Sequence, residues 1–93
     1  MAVLFLVVSS PSPDLNEEVR RRRREFRDWI RELRGKGKVL HYYPRIARGS
    51  VVVFDVVSNE ELHALLSQWL EFVEVRFDLY PLVAPEEAER FLE

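Results

Sequence analysis

The sequence predicts an α+β fold of ferredoxin-like type, β-α-β-β-α-β with a four-stranded antiparallel sheet and a short C-terminal helix. Three observations predict it. Two stretches, one over about 14–34 and one starting at Ser58, repeat apolar residues at helical spacing. Four short runs rich in β-branched and aromatic residues flank them. Breakers separate the runs: the Ser/Pro cluster at 9–13, Gly35-Lys36-Gly37-Lys38, and Arg48-Gly49. Two helices can cover only one face of such a sheet, so the other face requires a partner.

Residues 2–8 are continuously apolar and predict a central strand covered on both faces. Pro11 and Pro13 cannot continue its ladder, and Ser12 or Asp14 is placed to cap the next helix. That first helix is predicted over 14–34. Glu17 and Glu18 lie in its first turn and Arg31 and Arg34 in its last, which suits the helix dipole. Its apolar stripe is Leu15, Val19, Phe26, Trp29, Ile30 and Leu33. The stripe has a gap, because the turn between Val19 and Phe26 carries Arg22 and Arg23 where an apolar residue is expected.

The second strand is predicted over 39–45, with His41, Tyr43 and Arg45 on one face, Leu40 and Tyr42 on the other, and Pro44 marking an edge or an end. Residues 51–57 predict a buried third strand. Ser58 stands three residues before Glu61, the spacing of a capping box, in which the Ser hydroxyl accepts a backbone N–H and the Glu carboxylate reaches back to the cap. Leu62, Leu65, Leu66 and Trp69 then form one apolar helix face. Residues 72–82 predict the fourth strand, with Val73, Val75, Phe77 and Leu79 opposite Glu74, Arg76, Asp78 and Tyr80. Pro85, followed by Glu86 and Glu87, opens the short C-terminal helix.

Ninety-three residues predict one domain, 1–93, with no room for a second core. With no cysteine there is no disulfide and no thiolate chemistry, and two histidines 22 positions apart make no metal site; no cofactor is expected. The run 2–8 lacks the basic flank and cleavage context of a signal peptide, and no stretch approaches the ~20 apolar residues of a membrane span. A cytoplasmic protein without a membrane partner is the expectation. The net charge of −2 hides an asymmetry. Residues 1–48 carry 12 basic and 6 acidic side chains, and residues 49–93 carry 2 and 10. The five arginines at 20–24 invite a nucleic-acid reading, but the acidic half predicts internal or intersubunit pairing and no nucleic-acid partner.

The stretch from Phe54 to Ser67, F-D-V-x-S-N-x-E-L-H-x-L-L-S, resembles the muconolactone Δ-isomerase family, with Asp55, Asn59 and His63 as its unusual polar positions. The resemblance extends from the first strand through Pro81-Leu82 with one deletion near Arg48. It implies that two subunits place their sheets face to face as a dimeric α+β barrel, giving a homo-oligomer, a dimer or higher with a decamer among the options. It also implies an activity that shifts a C=C bond in a small butenolide by acid/base proton transfer. The family's Lys-x-x-Glu-Lys helix pattern falls on Arg23, Phe26 and Arg27, so the Glu is replaced by Phe26 and Glu25 stands beside it. Gly37-Lys38 and His41 match; the family's Trp becomes Tyr43, and its Arg becomes Pro44 with Arg45 next.

From these positions His41, with Glu25 as substitute, is the candidate proton carrier. Arg23, Arg27 and Arg45 are the candidate anion clamp, and Phe26, Tyr43 and Trp69 the candidate aromatic contacts with a small-molecule substrate or ligand. The alternative is a ligand-binding protein, or a cofactor-free oxygenase or cyclase, of the dimeric α+β barrel class without muconolactone isomerase activity.

Overall fold

Four β-branched runs in the order predicted form one antiparallel sheet in the structure, a computed structural model that describes residues 3–12 and 16–91. The elements are β1 (Val3–Pro11), α1 (Glu17–Gly35), β2 (Val39–Pro44), β3 (Ser50–Val56), α2 (Asn59–Phe72), β4 (Val75–Leu82) and α3 (Pro85–Arg90). Strand order is β2-β3-β1-β4, so the two most apolar runs, β1 and β3, are central. Their register aligns Val3, Phe5, Val7 and Ser9 with Val56, Phe54, Val52 and Ser50 on the face that the helices cover. Burial alternates strictly along β3, the period-two signature of a strand with one covered face.

The core lies between that face and the two long helices. Phe26, Ile30 and Leu33 of α1 and Leu62, Leu65, Leu66 and Trp69 of α2 meet Val7, Val39, Val52, Phe54 and Val56 of the sheet. On the opposite face Leu4, Leu6 and Val8 pair with Asp55, Val53 and Val51, and β4 adds Arg76, Asp78, Tyr80 and Leu82. No helix among the described residues covers them. Among the described residues no helix is long and apolar enough to cross a membrane.

Several boundaries differ from expectation, each for a local reason. β1 runs through Pro11, beyond the predicted break. Its β3 partner ends at Ser9–Ser50, so on that side Pro11 has no ladder bond to make, while it still faces Val75 of β4. The cap of α1 is Asn16, whose side chain accepts from Val19 N at 2.9 Å; it is not Ser12, and Asp14 and Leu15 lie outside the described residues. β2 contains a bulge between Val39 and His41, with Leu40 as the extra residue. The bulge corrects the predicted alternation: Val39 and Tyr42 now both face the helices, while His41 and Tyr43 stack at 6.3 Å on the open face. Arg45 lies past the strand, in the loop. Phe72 ends α2, so β4 begins only at Val75; its Pro81 is tolerated because β4 is an edge.

The capping box at α2 forms with a shift of one residue. Ser58 Oγ accepts from Glu61 N at 3.1 Å, but the Glu61 carboxylate accepts from Val57 N at 2.9 Å, one position before the cap. The same carboxylate holds Lys38 Nζ at 2.9 Å, which ties the start of α2 to the chain entering β2.

Candidate anion-binding site

At one end of the sheet, under α1, a cleft of about 270 Å³ opens between the helices and the β2–β3 loop. Its floor is aromatic. Phe26 and Trp69 pack at 4.7 Å between ring centroids, and Tyr42 meets the edge of Phe26 at 6.2 Å. Phe26 and Trp69 are almost fully buried, so they serve the core as well as the cleft.

Charge distinguishes its walls. Arg23 and Arg27 come from α1, one turn apart, and Arg45 and Arg48 come from the β2–β3 loop. Among the described residues no Asp or Glu lines the cleft. Arg23 is partly buried and forms no ion pair with a described carboxylate; desolvation, then the Arg48 and Arg27 charges, lowers its pKa below the usual guanidinium value. It stays cationic at any ordinary pH. The gap in the helix stripe is therefore the place where α1 turns a cation into the cleft instead of a methyl group into the core. Glu74 and Asp78 do not pair with Arg23: Glu74 is exposed, and Asp78 lies on the open sheet face with Arg76 at 4.0 Å.

The loop at 45–49 is shaped by backbone and serine contacts. Arg45 N donates to Gly49 O at 2.9 Å, closing the turn. Arg45 Nη1 donates to Ser9 O and to Ser10 Oγ, both at 3.1 Å, so its guanidinium is held by neutral acceptors and keeps its charge unneutralised. Gly49 has φ +89°, and a β-carbon there would run into the Ser9 carbonyl. Beneath the loop lies a buried serine pair. Ser9 Oγ accepts from Ser50 N at 2.9 Å and lies 3.0 Å from Ser50 Oγ. The pair lies in the cleft wall beside the arginines.

Of the residues singled out from the sequence, Arg23, Arg27, Arg45, Phe26 and Trp69 converge on this cleft. His41, Glu25 and Tyr43 do not line it. His41 and Tyr43 lie across the sheet, exposed on the open face. Glu25 points outward from α1, 3.8 Å from Arg22 and half exposed. Sequence reasoning missed Arg48, Tyr42 and the serines. Arg48 beside the turn-forming Gly49 was a usable signal; the serine pair had none, because it depends on the β1–β3 register. Elsewhere on α1 the arginines pair locally, Arg20 with Glu17 and Arg21 and Arg22 with Glu18. Among ion pairs between described residues of one chain, only Lys38–Glu61 joins the basic half to the acidic half.

Neither a protein-family model nor a curated protein sequence matches the chain. Solved structures do. Muconolactone isomerase superposes with a TM-score of 0.71 at 26% sequence identity, over 88% of this chain and 91% of its own. The fold is that of muconolactone isomerase. The leucine response regulatory protein of Mycobacterium tuberculosis also shares it, with a TM-score of 0.58 at 18% identity over 88% of this chain and 51% of that one. A feast or famine regulatory protein from M. tuberculosis, complexed with L-methionine, gives the same TM-score. The likeness to the regulators is one of fold, over about half their length, whereas that to muconolactone isomerase runs along nearly all of both chains.

Proposed function

We propose that the arginine-rimmed cleft binds a small organic carboxylate with a flat, unsaturated body, and that the chain acts on it as a muconolactone-type isomerase. The reaction would shift a C=C bond in a butenolide or a related enolisable compound. The single observation that carries this reading is the charge of the cleft: guanidinium groups from two elements above an aromatic floor, with no carboxylate among the described lining residues. Cations gathered along one wall attract an anion to it. In a double-bond shift a proton leaves the carbon next to a carbonyl and returns along the allylic system, and negative charge gathers on the carbonyl oxygen in between. Guanidinium groups already in place stabilise that oxygen without reorganising, an effect worth about 10²–10³ in rate for a single donor. One arginine would hold the pendant carboxylate and another would face the dienolate oxygen. Tyr42 offers a hydroxyl donor.

The proton carriers expected from the sequence, His41 and Glu25, stand outside the cleft of their own chain. That observation favours a second reading, in which the cleft binds its carboxylate without turning it over. One experiment separates the two. Muconolactone is incubated with the wild-type protein and with Arg27→Gln, and the change in double-bond conjugation is followed by ultraviolet absorbance. The isomerase reading predicts conversion well above the protein-free rate and a loss of about tenfold or more in the variant. Saturable binding without conversion would overturn it in favour of the second reading.

A further inference from the structure

We infer that Tyr42 is the proton carrier of the cleft: its phenolic oxygen takes a proton from one end of the substrate's allylic system and returns it at the other. The placement comes from the bulge in β2. In an unbroken strand side chains alternate, so Val39, His41 and Tyr43 would share one face. The extra residue, Leu40, breaks that count, and the register runs Val39↔Phe54, His41↔Val53 and Tyr42↔Val52. Phe54 and Val52 belong to the core beneath the helices, so Tyr42 joins Val39 on that face, while His41 stacks with Tyr43 on the open one. One inserted residue thus exchanges an imidazole for a phenol on the side of the cleft.

The surroundings of Tyr42 suit the role. Its ring is half-buried and meets the edge of Phe26, and on α1 Arg23 stands three residues before Phe26 and Arg27 one after. Arg45 follows Tyr42 by three residues, just past the end of β2. The phenol therefore belongs to the same lining as guanidinium groups from both elements. Its oxygen makes no hydrogen bond to another described residue, which leaves it open to a ligand. The other described polar side chains of the lining do not fit the task. The arginines stay protonated at any ordinary pH. Ser9 and Ser50 are buried and engage each other at 3.0 Å.

Acting as phenolate, Tyr42 forms an O–H bond as the substrate C–H bond breaks. The freed electron pair becomes a new C=C bond, and the displaced π electrons come to rest on the carbonyl oxygen, toward a guanidinium. Those electrons then return, the O–H bond breaks, and the proton is delivered to the far carbon. The phenolate is restored, with no oxidant, reductant or co-reactant. The inference rests on the isomerase reading and names the proton carrier for it.

Tyr42→Phe removes one oxygen and keeps the ring against Phe26. With muconolactone as substrate, kcat should fall by about 10²–10⁴-fold while KM changes by less than about threefold. A second protein carries 3-fluorotyrosine at position 42. Fluorine makes a phenol more acidic, so the rise of kcat with pH should come at lower pH than in the wild type, a shift that a merely structural ring would not produce. Full turnover by Tyr42→Phe, or a pH–rate profile that fluorination leaves in place, would overturn the assignment and leave the isomerase reading standing. A wild-type protein that converts no muconolactone would overturn both.

Discussion

Arg23 is the residue at which sequence and structure meet most tightly. It occupies a helix position that calls for an apolar side chain, it is partly buried, and the cations nearest to it are Arg27 and Arg48. Removing its charge therefore strands no partner among the described residues. Arg23→Met should leave the melting temperature unchanged or raise it, while weakening binding of an anionic ligand by about 2–5 kcal/mol, the usual range for truncating one member of a buried charge pair. Thermal melts with and without ligand check both halves of that expectation. A melting temperature lowered by several degrees in the apo protein would mean that Arg23 is structural. Its inward direction was legible in the stripe, because a gap at a fixed helical phase has only one side to face. The outward direction of Glu25 was legible for the same reason, since it stands ~100° from Phe26 around the helix. What stayed hidden was His41. A one-residue bulge decides which β2 side chains share a face with Val39, and nothing in the string Val39-Leu40-His41 marks it.

At the scale of elements, two junctions hold the site in shape. The β2–β3 turn depends on Gly49, where positive φ and close approach to the Ser9 carbonyl coincide. Gly49→Ala should cost more than about 1 kcal/mol and disorder Arg45 and Arg48 with it, readable as a lower denaturation midpoint and weaker ligand binding together. The other junction is Glu61. The hydrogen bond from Lys38, then that from Val57 N–H, holds its carboxyl below the ordinary value of 4.5. A carboxyl depressed in the folded state contributes stability that is present above its unfolded value and is lost as the pH falls through the folded one. Wild type and Glu61→Gln should thus differ in stability at neutral pH and converge on acidification below about 4.3. Urea titrations at pH 7 and pH 3 measure this; a difference independent of pH would contradict the assigned bonds. The cap itself was readable from Ser58 and Glu61. The shift of the carboxylate to Val57 was not, since it depends on where β3 delivers the chain and on Lys38, 23 residues earlier.

For the molecule as a whole, the element order was readable because α1 and α2 keep a period of 3.6, β4 alternates, and β1 and β3 are short apolar runs between breakers. The ends were less readable. Pro11 and Pro81 lie in strands because edges and ladder ends tolerate them, and edge position is a property of the assembled sheet. The open sheet face, with Leu6 opposite Val53 and Val8 opposite Val51, predicts association. Light scattering at micromolar concentration should give at least twice the 11.1 kDa of one chain, and Val53→Lys should shift the population toward monomer. A wild-type monomer would contradict face-to-face packing. The central claim, that the arginine-rimmed cleft is an anion site, is tested most directly by calorimetric titration with a small unsaturated carboxylate and with its neutral methyl ester. The acid should bind the wild-type protein at least tenfold more tightly than the ester, and Arg23→Met should abolish that preference. Equal binding of acid and ester by the wild-type protein would contradict it.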